Sequence, residues 1–414
     1  MSPAANQARV FLTLLAALRP HWRRDPALPT RIQTLLARHR EFGSRDRRLY
    51  RELIYTTLRH LPWIERHLDT DADEAVRQVA WLAADTAATR AFRATLATGE
   101  APSGEKSELL PPWFRGHCPE IFAGVELETQ LRRAPLWLRL QTSDAAAVFA
   151  ELDRRGWRWR HSAELPSAIE ILDEADVTTT DAWQNGQFEV QDLGSQLILE
   201  SIGIETGGHW LDACAGAGGK TLQLSRLLGH GRVDAFDIRP AALTELERRA
   251  ERAAGALKAG TGGPPVHGRA GRAPRQSAQD IGGRVQVLRQ PATDTYDGVL
   301  VDAPCSGSGT WRRAPHLKWT TTEAQIVEAA RTQRHLLDRF SALVRPGGRL
   351  VYATCSLSPR ENEDVVTAFL AARPHFRVEK LARTFRATPR GPGLLILPSQ
   401  HDTDGFFLAS LRRI

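Results

Sequence analysis

Two apolar runs in this 414-residue chain each end in a cysteine. "GRLVYATC" closes on Cys355, and "YDGVLVDAPC" closes on Cys305, three residues after Asp302. The remaining thiols are Cys118 and Cys214. A cysteine is most often a small buried hydrophobe. A thiol at a strand's carboxyl end, followed by serine and then glycine or proline, is instead placed to face solvent or ligand. Two such thiols and a carboxylate suit one reaction well. Carbon 5 of a pyrimidine is too weak a nucleophile to take a methyl group directly. A thiolate added at carbon 6 turns the ring into an enamine whose carbon 5 is reactive. The attack needs a group to hold or protonate ring nitrogen 3 as charge develops, and a carboxyl in a dry pocket serves. A second group beside the adduct then assists loss of the carbon-5 proton and expulsion of the thiol.

A methyl donor needs its own site. "LDACAGAGGKT" (211–221) follows a strand and opens a helix, with Cys214, Ala215, Gly216, Ala217, Gly218, Gly219 and Lys220 in its turn. Glycines there let backbone approach a ligand closely. The spacing fits neither G-x-G-x-x-G nor a Walker A loop, which would need glycine where Cys214 stands. Asp237 ends the next strand, about twenty residues after the loop, where a carboxylate can take both hydroxyls of a ribose. Loop and acid together suit S-adenosylmethionine. The plainer reading of Asp237 is a cap for the helix that begins near Pro240.

The elements that must hold these groups alternate from about residue 191. "HWLDACA", "RVDAFDI", "RVQVLR", "YDGVLVDAPC" and "GRLVYATC" read as strands, with helical segments between them, the longest at 322–344. "GLLILPS" and "DGFFLASLRR" close the pattern. Continuous apolar strands in βαβ alternation predict an α/β fold, a Rossmann-like, mostly parallel sheet covered on both faces. Ligands of such sheets sit outside the strands' carboxyl ends. Residues 1–128 carry apolar residues at helical spacing and predict an all-helical domain. Its segment "SRDRRLYRELIYTTLRHLPWIERHL" sets Leu49, Ile54, Leu58 and Leu61 on one side and Arg45, Arg47, Arg48, Arg51 and Arg59 on the other. A solvated helix face explains that stripe as well as a binding role does. Residues 129–190 predict a small α+β subdomain, with strands at 136–141 and 168–172 about a helix at 145–156. The methyltransferase-like domain occupies 191–414, interrupted by a Gly-, Pro- and Arg-rich insertion at about 259–283.

Composition narrows the class. With 42% apolar and 25% charged residues the chain reads as globular, and no apolar run is long enough to span a bilayer. The N-terminal stretch lacks the charged lead and cleavage site of a signal peptide, which predicts a cytoplasmic protein. Four scattered cysteines predict neither a disulfide scaffold nor a metal site. The formal charge of +7, nearly all of the basic side arginine, suits a phosphate-backbone partner, although genomic arginine bias produces the same number.

At these motifs the chain resembles the Sun/Nop-type RNA cytosine-5 methyltransferases, in particular their bacterial ribosomal RNA branch. "FEVQDLGSQLI" looks like the family's entry motif and "DACAGAGGKT" its cofactor loop. "DAPCSGSGTWRRAPHLKW" looks like its substrate-acid motif, "YATCSLSPRENEDVV" its nucleophile motif and "DGFFLASLRR" its closing strand. "SRDRRLYRELIYTTLRH" is similar to the NusB-like RNA-binding domain of the bacterial branch. The resemblance implies that Cys355 attacks carbon 6, that Cys305 assists release, and that Asp302 contacts the cytosine edge. It implies that Cys214 to Lys220 and Asp237 hold S-adenosylmethionine, with Lys220 near Asp302. Three departures stand out. Gly216 and Ala217 replace Ala-Pro in the loop, Gln290 stands where the family has an adenine-side aspartate, and Gln141 replaces asparagine in "RLQ". The implied protein is a monomer acting on RNA, small-subunit ribosomal RNA first and transfer RNA second. A non-catalytic RNA-binding assembly factor is a further reading, opposed by the intact Asp302, Cys305 and Cys355.

Overall fold

The computed structural model describes residues 2–259, 280–281, 284–290, 292 and 294–414. The chain folds as two compact units: Met1–Ala134 with Gly307–Ile326, and Pro135–Ser306 with Val327–Ile414.

The first unit is helical. Its helices Pro3–Leu18, Leu28–Arg38, Ser44–Arg59, Leu61–Glu65, Ala72–Leu82 and Arg90–Leu96 follow the apolar periodicity of the sequence. The first opens with Ser2 capping the Ala5 N–H and a proline in its first turn, where a missing N–H costs nothing. Phe11, Leu14, Leu53, Ile54, Leu58, Val79 and Phe92 meet in one buried cluster. On Ser44–Arg59 the side chains of Arg45, Arg48 and Arg51 are exposed, but Arg59 is buried. Arg47 is half-buried and Arg59 turns inward at the helix end, so three of the five arginines expected on the solvated face are exposed.

The second part of this unit comes from far along the chain. Within Gly307–Ile326, Trp311, Arg312 and Lys318 are all buried. The Lys318 ammonium donates to the carbonyls of Arg59 (2.7 Å) and Leu109 (2.9 Å), and the Trp319 indole donates to that of Leu58 (2.6 Å). Trp311 packs on Phe114 with ring centroids 4.7 Å apart.

The second unit carries two sheets. In the smaller, β1 (Leu136–Leu140), β2 (Trp159–His161), β3 (Ala168–Ile171) and β4 (Phe188–Val190) pair antiparallel in the order β2-β3-β1-β4. Helix Ala145–Arg154 covers it through Val148 and Leu152. The short β2 has no apolar run and was invisible to periodicity.

In the larger sheet, β5 (His209–Asp212), β6 (Arg232–Phe236), β8 (Val285–Leu288), β9 (Tyr296–Asp302) and β10 (Val344–Thr354) are parallel, in the order β8-β6-β5-β9-β10. The two-residue β7 (Asp280–Ile281) adds to β8 antiparallel. On the other side β14 (Phe406–Arg413) runs antiparallel to β10, followed by β13 (Gly393–Ile396) and β12 (Thr388–Arg390), while β11 (Phe376–Val378) also pairs with β14. Val299–Val301 and Leu350–Ala353 are fully buried, as strands covered on both faces must be. Each such aliphatic side chain contributes about 1.5–3 kcal/mol of burial. The α/β, Rossmann-like fold expected from the alternation is therefore the fold observed. The expected insertion at 259–283 lies, apart from Ala259, Asp280 and Ile281, outside the described residues.

Candidate active site

The sheet register brings the singled-out residues together. Ala353 pairs with Asp302, so β9 and β10 end side by side and deliver Cys305 and Cys355 to one edge. Their sulfurs lie 3.2 Å apart, each thiol half-buried. β5 ends beside β9 on that edge, and the helix that follows it, Gly219–Leu227, carries Lys220 in its first turn. The Lys220 ammonium is buried and lies 2.9 Å from a carboxylate oxygen of Asp302 and 5.5 Å from the ring centre of Phe406. Burial alone would lower the lysine's pKa. The Asp302 carboxylate outweighs that and holds the ammonium above the ordinary range.

Cys214 stands two residues beyond β5, at the head of the glycine loop. Burial, and then the carboxylates of Asp212, Asp302 and Asp237, push its pKa well up, so it stays a thiol. Asp212, fully buried, has its pKa raised to about 7 by burial, against the hydrogen bond it accepts from the Thr221 hydroxyl at 2.7 Å.

The glycine loop is shaped as expected. Gly218 has φ +88°, and a Cβ there would meet the Leu246 side chain at 2.6 Å, so only glycine fits. Gly216 has φ +52°, which explains glycine where the related motif carries alanine. The Gly216 N–H donates to Asp237 at 2.8 Å, tying the loop to the end of β6. Asp237 also accepts from the Arg239 N–H and from its guanidinium, all at 2.9 Å. Burial would raise that carboxyl's pKa, but the arginine and the two backbone donors bring it below the usual range. Gln290 is exposed, two residues beyond β8 and on the same edge. Gln141 is half-buried beside the Gly186 carbonyl, 3.4 Å away.

These residues fit S-adenosylmethionine. A Cβ on Gly219 would meet nothing closer than 4.0 Å, so the loop's backbone stands open there. Ile238, next to Asp237, is 81% exposed and leaves an apolar surface beside that carboxylate.

Sequence reasoning missed the groups that hold this edge in place. Glu189, on β4, is fully buried and accepts from Arg249 (2.7 Å) and Arg252 (2.8 Å), and Arg249 also donates to the Ala217 carbonyl of the loop (2.7 Å). Arg139, fully buried on β1, donates to Gln191 at 2.5 Å. Burial lowers its pKa to about 9. Behind the thiols, Glu361 and Asn362 bind the backbone and serines that flank both cysteines. The only signal for them was the polar run "PRENED" inside an otherwise apolar motif.

A parallel sheet with a glycine loop and acid at one edge, joined there by two thiols and a Lys–Asp pair, is the arrangement of an S-adenosylmethionine-dependent methyltransferase. The chain belongs to the 16S rRNA methyltransferase RsmB/F family, whose model matches residues 200–412. It is 31% identical over 320 residues to ribosomal RNA small subunit methyltransferase B of Enterobacter sp. (strain 638), across 75% of this chain and 68% of that protein. The protein of the same name from Escherichia coli O6:K15:H31 is 32% identical over 309 residues, across 73% of this chain and 66% of its own. The alignments thus span about two thirds of these relatives' length. Among solved structures, PH0851 superposes with a TM-score of 0.72 at 22% identity over 100% of this chain and 99% of its own. NSun6 from Pyrococcus horikoshii, solved with SFG, superposes with a TM-score of 0.60 at 18% identity, over 75% of this chain and 98% of that one. At such identities the likeness is one of fold.

Proposed function

We propose that the protein methylates carbon 5 of a cytosine in small-subunit ribosomal RNA through a covalent adduct at carbon 6. The observation that carries this reading is the pair of thiols 3.2 Å apart at the carboxyl edge, beside the Lys220–Asp302 pair. S-adenosylmethionine, held by the 214–220 loop and Asp237, supplies the methyl group. The chain's own residues do the rest. The target base leaves its stack to reach the edge, at a cost of a few kcal/mol. Asp302 takes the base's polar edge, with Lys220 holding the carboxylate in place. The Cys355 sulfur bonds carbon 6, and the electron pair released from the ring's double bond makes carbon 5 nucleophilic. Once carbon 5 carries the methyl group, its proton passes to the Cys305 sulfur, the double bond reforms, and the carbon–sulfur bond breaks to return Cys355 as the thiolate. Cys305, in contact with Cys355, assists that release. The chain's relatives, ribosomal RNA small subunit methyltransferases, support ribosomal RNA as substrate, and the exposed Arg45, Arg48 and Arg51 support a contact between the 1–128 region and RNA phosphates.

Bisulfite sequencing of total RNA from cells with and without the protein tests this. One 5-methylcytosine in small-subunit ribosomal RNA should vanish. If no such site is lost, the reading is wrong, and a site lost from transfer RNA instead would move the substrate.

A further inference from the structure

We propose that Glu361 is a positioning residue that sets the distance between the two thiols. The proposal rests on the reading above for its catalytic consequence, but its geometry stands alone. Glu361 is fully buried just beyond β10, in the turn Pro359–Glu361. One of its oxygens accepts from the Ser306 N–H at 2.8 Å and from the Gln333 amide at 3.1 Å. The other accepts from the hydroxyls of Ser306 (2.5 Å) and Ser356 (2.6 Å). Ser306 directly follows Cys305, and Ser356 directly follows Cys355. One carboxylate therefore grips the residue after each thiol.

The supports around it repeat the pattern. Gln333 also donates to the Pro304 carbonyl, the residue before Cys305, at 2.9 Å. Asn362 accepts from Thr354 at 2.6 Å and donates to the Ser356 carbonyl at 2.9 Å, bracketing Cys355. The Tyr352 hydroxyl donates to the Glu361 carbonyl at 2.5 Å and fixes the turn against β10. Strand pairing alone ends at Ala353–Asp302, so beyond it the loops need this carboxylate to stay in register. Four donors converge on the two oxygens, an acceptor count that a single amide oxygen cannot match in this place.

The test is dithiol capture by phenylarsine oxide in the full-length protein, mapped by peptide mass spectrometry and read beside methylation kinetics and thermal melting. Wild type should bridge Cys305 to Cys355, and Cys305→Ala should not. Glu361→Ala should lose the bridge and about a hundredfold in kcat, with KM for RNA changed less than about twofold. Glu361→Gln keeps one acceptor oxygen and the shape, and should retain the bridge with kcat down about tenfold. Should Glu361→Ala fail to fold, Glu361→Gln decides alone: unchanged kcat overturns the proposal. Retained capture and kcat in a folded Glu361→Ala also overturns it. Capture that depends on Glu361 in a protein that methylates no cytosine would support the positioning role while refuting the proposed reaction.

Discussion

The Lys220 ammonium and the Asp302 carboxylate are 2.9 Å apart although they come from a helix and a strand 82 residues apart in the chain. The pair joins the first turn after the glycine loop to the start of the Cys305 loop, so one contact spans both halves of the site. Lys220→Met should lower the methylation rate by about a hundredfold, the scale on which a preorganised charge acts. Single-turnover kinetics with saturating RNA would show it, and a rate within threefold of wild type would contradict it. Because the lysine's pKa is raised, the pair's contribution to stability is present through neutral pH and is lost only as pH rises through that raised value.

The two thiols separate by substitution. Cys355→Ala should abolish both methylation and any covalent RNA complex. Cys305→Ala should leave RNA bound to the protein through Cys355, visible as a denaturation-resistant band, because attack proceeds while release stalls. A trapped band from Cys355→Ala would reverse the assignment.

Asp212 makes stability depend on pH. Its folded-state pKa of about 7 lies well above the ordinary carboxylate range. At about pH 2, below the ordinary aspartate value of about 3.9, both states hold the proton and there is no penalty. As pH rises toward 7 the unfolded chain releases its proton first, and the native state loses stability on the order of a few kcal/mol. Asp212→Asn should flatten this, so its melting temperature relative to wild type should climb from pH 5 to pH 8. Parallel curves would exclude the effect.

Glu189 pairs with both Arg249 and Arg252, at 2.7 and 2.8 Å. Glu189→Ala leaves two guanidinium groups in a mostly buried place, and such a loss costs about 3–5 kcal/mol. Since Arg249 also holds the Ala217 carbonyl, the variant should weaken S-adenosylmethionine binding by calorimetry as well as lower the melting temperature. A lower melting point with unchanged binding would separate Arg249 from the loop.

The parts of this site that were legible in the sequence are those written in apolar periodicity and in strand ends. Val299–Val301 and Leu350–Ala353 announce buried parallel strands, and the residues after them must then sit at the ligand edge. Asp302, Cys305, Cys355 and Asp237 follow from that alone. The short β2, with one half-buried and two exposed positions, has no such signature. Nor do Glu361, Gln333, Glu189 and Arg139, each of which bonds a partner 28 to 63 residues away. Their roles depend on where distant backbone arrives, which no local pattern encodes. Arg59 shows the converse: charge and spacing put it on a solvated face, and the buried end of its helix overrode both.

The segment Gly307–Ile326 completes the core of the helical unit with Trp311, Lys318 and Trp319. Synthesis runs in one direction, and this segment is made more than 170 residues after Ala134. The helical unit therefore leaves the ribosome unfinished and waits, with the Arg59 and Leu109 carbonyls unanswered, until β9 has emerged. Contacts of such long sequence separation fold slowly. An N-terminal fragment ending at Ala134 is thus an incomplete folding unit, and the birth order of the chain obliges the glycine loop and Cys305 to be made before the helical unit is whole.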